Sequence, residues 1–182
     1  MLDKILIQLE QTNFPNNKTR TNISDKKQLS FCLGDVNYRG QASLNYQTRG
    51  SSRYNKKFPE LYKLLVEYAN QQGLHYTTIQ INKNVKSLPH IDKNNVGLST
   101  IIALGNFTGG ELIIEGVSHN IHNVLFEFDG KKGHWVNSFD GTRYSIIFFT
   151  HTFKPPNPKD RGITVSTNGL YKHKKLIKTF IF

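Results

Sequence analysis

The chain has 182 residues, of which 37% are hydrophobic and 12% are aromatic. This length fits one domain with a single sizeable core, and the composition excludes a wholly disordered chain. No stretch approaches the roughly 20 apolar residues of a membrane span, and Met1–Glu10 lacks the apolar block of a signal peptide, so we expect an intracellular, non-secreted protein that does not bind membranes. The single cysteine, Cys32, excludes an internal disulfide and a cysteine-based zinc site.

The net charge is strongly positive, with 24 Lys and Arg against 13 Asp and Glu, or +11. A positive electrostatic field attracts polyanions, although a lysine-rich surface that only keeps the protein soluble would give the same net charge. No acid lies between Asp35 and Glu60, where cations alternate with tyrosines: Arg39, Arg49, Arg53, Lys56 and Lys57 with Tyr38, Tyr46 and Tyr54. Cationic side chains can pair with phosphates and aromatic rings can stack on bases, so this alternation favours a nucleic-acid-binding surface. A second basic flank follows His151.

The N-terminal part of the chain predicts helices and loops around one strand. Apolar residues at helical spacing in Leu2–Leu9 predict a short amphipathic helix, and the polar stretch Thr12–Gln28 predicts a loop. Leu29–Val36 predicts a strand, and the basic segment 36–59 a mobile loop. A second helix is predicted from Pro59 to a stop at Gly73.

After Gly73 the pattern changes to short β-branched and aromatic runs separated by turn signals. These runs are TTIQIN, GLSTIIALG, ELIIEG, NVLFEF, HWVNSF and RYSIIFFT. Several short strands behind one or two helices predict a mainly β (α+β) sandwich or barrel with helical packing on one side. We therefore expect one domain over 1–182, with N-terminal support over 1–73, a β core over 74–151 and a basic extension over 152–182.

His90-Ile91-Asp92 is a candidate pair of metal ligands. In an extended chain the side chains of His90 and Asp92 share one face, so both can reach one cation. The triplet alone is more often a surface His beside a solvated Asp, and a metal site needs a third ligand. The candidates are His75, His119, His122, His134, His151 and His173.

Hairpin geometry selects among these histidines. Asp140-Gly141 is a strong two-residue turn signal, so we predict a hairpin in which His134 faces Ile147 and Ser138 faces Arg143. Directly opposed residues share a sheet face, which predicts one face made of His134, Val136, Ser138, Arg143, Ser145, Ile147, Phe149 and His151. The third ligand on this reasoning is His134.

Two histidines and one carboxylate with open positions form the facial triad of non-haem Fe(II) oxygenases. An Arg at position 143, seconded by the Ser145 hydroxyl, suits the distal carboxylate of 2-oxoglutarate because the guanidinium fork pairs with it in two places. The combined pattern predicts an oxygenase that uses Fe(II), 2-oxoglutarate and O₂.

The segments PHIDKNNVGLSTIIALGNFTGGELII and HWVNSFDGTRYSIIFFTH resemble the double-stranded β-helix (jelly-roll, cupin-like) of 2-oxoglutarate/Fe(II) dioxygenases, and within them the TET/JBP-type nucleic-acid base oxygenases. The resemblance covers Thr77 to His151. It implies that His90, Asp92 and His134 hold the iron and that Arg143 and Ser145 bind the cosubstrate. It also places the strand with Asn82 and Asn84 against the cosubstrate, so that one of the two binds the keto-acid end; an exposed polar strand face is the alternative.

The same resemblance implies a substrate site. Phe149 takes the place of an aromatic residue that stacks on a flipped base. His151 takes the place of a His that hydrogen-bonds to this base, and Asn95 takes the place of a polar residue that recognises it. Arg49 and Arg53 in the basic loop are expected to hold the nucleic-acid backbone.

The implied function is hydroxylation of the 5-methyl group of a pyrimidine, 5-methylcytosine or thymine, in DNA or RNA, with DNA favoured and the protein acting as a monomer. Two alternatives stay open. One is a protein or peptide hydroxylase on the same fold, for which the basic loop would bind an acidic partner. The other is a non-catalytic nucleic-acid-binding module.

Overall fold

The computed structural model describes residues 1–17, 28–39, 47–152, 163–165 and 171–173. None of the helices in this part of the chain is long and apolar enough to cross a membrane. In chain order the elements are α1 (Leu2–Gln11), β1 (Asn16–Asn17), β2 (Gln28–Arg39), β3 (Gln47–Ser51), α2 (Arg53–Lys57), α3 (Pro59–Gln71), β4 (Thr78–Lys83), β5 (Asn95–Leu104), β6 (Phe107–Gly109), β7 (Leu112–Ile114), β8 (Val117–His119), β9 (Phe126–Phe128), β10 (His134–Val136), β11 (Phe139–Gly141), β12 (Tyr144–His151), β13 (Ile163–Val165) and β14 (Tyr171–His173).

The described strands form one large sheet, one small sheet and two separate strand pairs, β6–β11 and β13–β14. The large sheet has seven strands in the order β1-β2-β4-β12-β5-β9, with β3 paired to β2. The small sheet has the order β10-β7-β8, and an isolated antiparallel bridge between His90 and His134 adds the His90 segment to it. Along the chain, β4, the His90 segment, β5, β7, β9, β10 and β12 alternate between the two sheets. This alternation is a double-stranded β-helix, so the predicted mainly β fold is confirmed.

A helical layer covers one face of the large sheet. Ile5 and Leu9 of α1 and Leu61 and Leu65 of α3 are buried against the sheet. The sheet side of this core consists of Phe31, Leu33, Ile79, Ile81, Ile102, Leu104, Tyr144, Ile146 and Phe148. Because side chains alternate along a strand, the intervening residues of β4 and β12 point to the opposite face, toward the small sheet.

A second core lies between the two sheets. It contains Ile101, Ala103, Phe107, Leu112, Ile121 and Phe128. Ile147 of β12 packs against it, whereas Phe149 belongs to neither core cluster. The space between the sheets is therefore closed by apolar packing at one end and open at the other.

The predicted helices at the N-terminus and after Pro59 and the predicted strand at Leu29–Val36 are confirmed. The prediction of a mobile loop over 36–59 is wrong for the part that the structure describes, because that part contains β3 and α2; residues 40–46 lie outside the described ranges. Two predicted turns, GNFTGG and EGVSHN, instead contain the short strands β6 and β8. Of the basic extension 152–182, the structure describes the first residue, β13 and β14.

The hairpin predicted at Asp140-Gly141 is wrong. Strand β10 pairs with β7, and β11, which contains Asp140 and Gly141, pairs with β6. Strand β12 pairs instead with β4 and β5 in the other sheet. The chain thus crosses from one sheet to the other at Asp140-Gly141, because partners distant in sequence compete with the local turn.

Candidate metal centre

Three predicted ligands come together where the two sheets face each other. His90 and His134 exchange backbone hydrogen bonds across the isolated bridge, and the Asp92 N–H donates to Gly130 O at 2.7 Å. The possible ligand atoms of His90, Asp92 and His134 all lie within 4.8 Å of one another. Of the six candidate histidines, only His134 completes such a group in the described part of the chain.

Both imidazole rings are oriented by hydrogen bonds to the backbone. His90 Nδ1 lies 2.7 Å from Leu88 O, and His134 Nδ1 lies 2.8 Å from Lys132 O. A carbonyl oxygen only accepts, so Nδ1 carries the proton in each ring and Nε2 holds the lone pair that can bind a metal. The sequence KGH places the carbonyl of Lys132 two residues before His134, and LPH does the same for Leu88 and His90.

The carboxylate completes a mixed ligand set. Asp92 Oδ2 lies 3.8 Å from His134 Nε2, and His134 is buried while Asp92 is partly exposed. Two imidazoles and one carboxylate would supply three ligand atoms and one negative charge to a metal. They leave further coordination positions for other ligands. This donor set suits a divalent first-row transition metal such as Fe(II).

A cavity of about 700 Å³ opens beside these ligands. Strand β12 contributes Ser145, Ile147, Phe149 and His151, and β4 contributes Thr78, Gln80 and Asn82. The small sheet contributes Leu112, His134 and Val136. The face predicted for these β12 residues therefore exists, although the hairpin from which it was argued does not.

Arg143 lies immediately before β12 and is 1% exposed. Its guanidinium packs between Phe107 and Phe139, with Cζ 5.6 and 5.5 Å from the two ring centroids. Gly110 leaves room for it, since a Cβ there would lie 2.9 Å from Nε. Burial lowers the pKa of Arg143 to about 10, and the charge of Glu111 opposes this shift.

The guanidinium has donors that the described residues do not satisfy. Nε and Nη2 of Arg143 are buried and have no hydrogen-bond partner in the described part of the protein. Leaving such donors unpaired costs about 1–3 kcal/mol or more for a charged group. An anion that reached Arg143 would remove this cost. Arg143 does not border the cavity, but Ser145, two residues further along, does.

A row of polar side chains crosses from β4 to β12 on the cavity face. Asn82 Nδ2 donates to Ser145 Oγ at 3.0 Å, and Gln80 Nε2 donates to Asn82 Oδ1 at 2.9 Å. Asn84 lies after the end of β4 with a φ of 53°, and its Oδ1 accepts the Arg143 N–H at 2.8 Å. Of the two asparagines predicted to face the cosubstrate, Asn82 lines the cavity and Asn84 holds the backbone of Arg143.

The predicted substrate residues Phe149, His151 and Asn95 all line the cavity. The ring centroids of Phe149 and His151 are 6.1 Å apart and tilted by 53°. Both side chains are partly exposed, whereas Asn95 is buried. The structure thus brings these three residues to the side of the cavity away from the Asn82–Ser145 row.

The two predicted backbone-binding arginines are placed differently. Arg53 lies in α2, where its Nη2 donates to Tyr54 OH at 2.9 Å, and it does not border the cavity. The backbone of Arg49 pairs with Asn37 in the β2–β3 ladder. The side chain of Arg49 lies outside the described part of the structure.

Asn37 also lines the cavity and was not predicted from the sequence. Its Nδ2 lies 3.0 Å from His151 Nδ1, and its buried Oδ1 has no hydrogen-bond partner among the described residues. No local pattern singles out Asn37 in a segment rich in polar residues. Its position depends on the pairing of β2 with β3, which only the folded chain shows.

Comparison with solved structures supports the fold. The structure is similar to that of an oxidoreductase of the 2OG-Fe(II) oxygenase family from Burkholderia pseudomallei, with a TM-score of 0.54 and 18% sequence identity over 81% of this chain and 77% of that one. No protein-family model matches the sequence, and no curated protein is similar to it by sequence. At this identity the likeness establishes the double-stranded β-helix and leaves the function to be argued from the site.

Proposed function

We propose that the protein is an Fe(II)- and 2-oxoglutarate-dependent dioxygenase. The observation that carries this proposal is the convergence of His90, Asp92 and His134, with ligand atoms within 4.8 Å of one another and both imidazole Nδ1 atoms engaged by backbone carbonyls. The similar fold of a 2OG-Fe(II) oxygenase family protein supports it. His90 Nε2, His134 Nε2 and Asp92 Oδ2 would hold the metal.

When bound, Fe(II) would supply the redox chemistry that couples the oxidation of 2-oxoglutarate by O₂ to the oxidation of a C–H bond. The overall balance gives succinate, CO₂ and a hydroxylated product, with one oxygen atom of O₂ in succinate and the other in the product. The chain's own residues would bind and orient the reactants.

Arg143 is the proposed partner of the distal carboxylate of 2-oxoglutarate. Its buried Nε and Nη2 have no other partner among the described residues. Ser145 Oγ and Asn82 line the cavity and would offer further polar contacts to the cosubstrate.

The test of the reaction class is release of labelled CO₂ from 2-oxoglutarate carrying the label at C1, with Fe(II) present. Wild type is expected to release CO₂, and His90→Ala is expected to lose this activity. His75→Ala is the control, because His75 is exposed and lies outside the ligand set. Equal turnover in His90→Ala and wild type would rule out this metal centre.

We further propose that the substrate is the 5-methyl group of a pyrimidine in a nucleic acid, DNA more than RNA. The net charge of +11 supports a polyanionic partner. A methyl group on a stacked base cannot reach ligands inside a β-helix, so the nucleotide must flip out at a cost of a few kcal/mol. Phe149 and His151 at the cavity offer a stacking surface and a hydrogen-bonding group for such a base.

Mass spectrometry of nucleosides tests this substrate class. Oligonucleotides with 5-methylcytosine, thymine or unmodified cytosine are incubated with the protein, Fe(II), 2-oxoglutarate and O₂. Gain of one oxygen by a methylated nucleoside is the expected result. If 2-oxoglutarate is consumed with a protein extract while no nucleoside gains oxygen, the substrate is a protein or peptide instead.

A further inference from the structure

The amide of Asn95 lies next to the carboxylate of Asp92. Asn95 opens β5 and is 6% exposed. Its Nδ2 lies 3.4 Å from Asp92 Oδ2 and 3.2 Å from Ser99 Oγ, and its backbone N–H donates to Asp92 O at 3.2 Å. The amide nitrogen has two hydrogens, and these two acceptors use both.

This contact depends on a distortion of β5. In a regular strand, residues four apart are separated by roughly 13 Å, at about 3.3 Å per residue. Here the side chains of Asn95 and Ser99 meet, because Gly97 between them has a φ of 70° and the ladder with β12 shifts register between Phe148 and Thr150. The bend turns Asn95 toward Asp92 while Ser99, fully buried, anchors the amide from the other side.

Gly130 completes the enclosure of the carboxylate. Its carbonyl accepts the Asp92 N–H at 2.7 Å. A Cβ at Gly130 would lie 3.3 Å from both Asn95 Nδ2 and Asp92 Cβ and 3.5 Å from Asp92 Oδ2. The absence of a side chain at Gly130 therefore lets the backbone, the amide and the carboxylate pack against one another.

We infer that Asn95 is a positioning residue of the metal centre: through Nδ2 it fixes which carboxylate oxygen of Asp92 faces His134. The oxygen that it bonds, Oδ2, is the one that lies 3.8 Å from His134 Nε2. A ligand that is held in place before the metal arrives binds the metal more tightly. Loss of a residue that hydrogen-bonds to a metal ligand, as Asn95 does to Asp92, typically weakens metal affinity 10–100-fold. This role leaves only the amide oxygen of Asn95 to face a substrate. The inference rests on the proposed metal centre.

The test measures metal binding without catalysis. Metal-free protein is titrated with Co(II), whose visible absorption reports the geometry of its ligands, in competition with a chelator. Asn95→Leu keeps the branched shape and the number of heavy atoms of the side chain and removes both polar atoms, and we expect its Co(II) dissociation constant to rise about tenfold or more with a changed spectrum. Asn70→Leu, at an exposed position near the end of α3 that does not border the cavity, is expected to bind Co(II) as wild type does.

Ser99→Ala provides a second variant, because it keeps the Asn95 amide and removes only its anchor. We expect it to weaken Co(II) binding less than Asn95→Leu and to alter the spectrum in the same direction. Wild-type affinity and spectrum in Asn95→Leu, or in Ser99→Ala if Asn95→Leu does not fold, would overturn the inference. His134→Ala separates this result from failure of the metal centre itself: if His134→Ala binds Co(II) as tightly as wild type, the proposed function fails instead.

Discussion

His90 and His134 face each other as the hydrogen-bonded pair of an antiparallel bridge. Each N–H donates to the carbonyl of the other residue at 3.0 Å, and the two ring centroids are 4.3 Å apart. Such pairs hold their Cα atoms about 5.5 Å apart. The backbone therefore fixes the Cα spacing of the two proposed metal ligands, and hydrogen bonds from Nδ1 to backbone carbonyls orient their rings.

A preformed ligand pair predicts that metal binding stabilises the folded protein. At a metal concentration one hundred times the dissociation constant, the gain in unfolding free energy is about 2.7 kcal/mol. Thermal unfolding of wild type with and without Co(II) measures it. His134→Ala is expected to lose the gain, whereas His75→Ala keeps it. An equal metal-induced rise in melting temperature in His134→Ala and wild type would contradict the assignment of His134.

Local patterns in the sequence predict which side chains come together better than they predict how the strands pair. His90 and Asp92 are two residues apart, and alternation along an extended segment is enough to place them on one face. The third ligand depends on pairing between distant strands. The prediction of His134 rests on a hairpin at Asp140-Gly141 that the structure replaces with other pairings, because the turn signal cannot report that β6 and β7 pair with β11 and β10.

The remaining differences arise where the backbone departs from regular geometry. Alternation along the strand groups Asn84 with Asn82, but the φ of 53° at Asn84 ends the strand and turns its side chain to the backbone of Arg143. The bend at Gly97 brings Asn95 to Ser99 in the same way. Neither conformation follows from hydrophobic periodicity, since it depends on contacts made after the sheets have formed.

Replacing Arg143 with lysine is expected to weaken cosubstrate binding. An ammonium group cannot reproduce the planar fork, and it cannot stack between the two phenylalanine rings as a guanidinium does. The KM for 2-oxoglutarate should rise about tenfold or more, which corresponds to about 1.4 kcal/mol, with little change in Co(II) affinity. Arg53→Lys on α2 is the matched control. An unchanged KM in Arg143→Lys would assign the distal carboxylate to another cation.

The lowered pKa of Arg143 predicts a pH limit for cosubstrate binding. Burial lowers the pKa from the ordinary value of an arginine to about 10, so the side chain is charged at neutral pH and loses its proton as the pH rises through about 10. Because the folded-state pKa is depressed, the buried charge lowers stability below this pH, and stability is regained as the pH rises above about 10 toward the ordinary pKa of an arginine.

Calorimetric titration with 2-oxoglutarate is the measurement for this limit. Affinity in the metal-loaded protein should hold from neutral pH up to the onset of deprotonation and then fall as the pH passes about 10. Arg143→Gln should bind weakly and show no such fall. Affinity that persists in wild type well above this pH would mean that the charge of Arg143 does not hold the carboxylate.

Phe149 is predicted to act on the substrate and not on the fold. It lines the cavity and belongs to neither core cluster, whereas its neighbour Phe148 is 1% exposed in the core beneath the helices. Loss of a core phenylalanine costs about 3–5 kcal/mol of stability, which we expect for Phe148→Ala. Phe149→Ala should leave the melting temperature nearly unchanged and remove a stacking contribution of about 1–3 kcal/mol. The yield of oxidised nucleoside should therefore fall, while 2-oxoglutarate continues to release CO₂ without oxidation of the nucleic acid. A large melting loss in Phe149→Ala, with the ratio of product to CO₂ unchanged, would place Phe149 in the core instead.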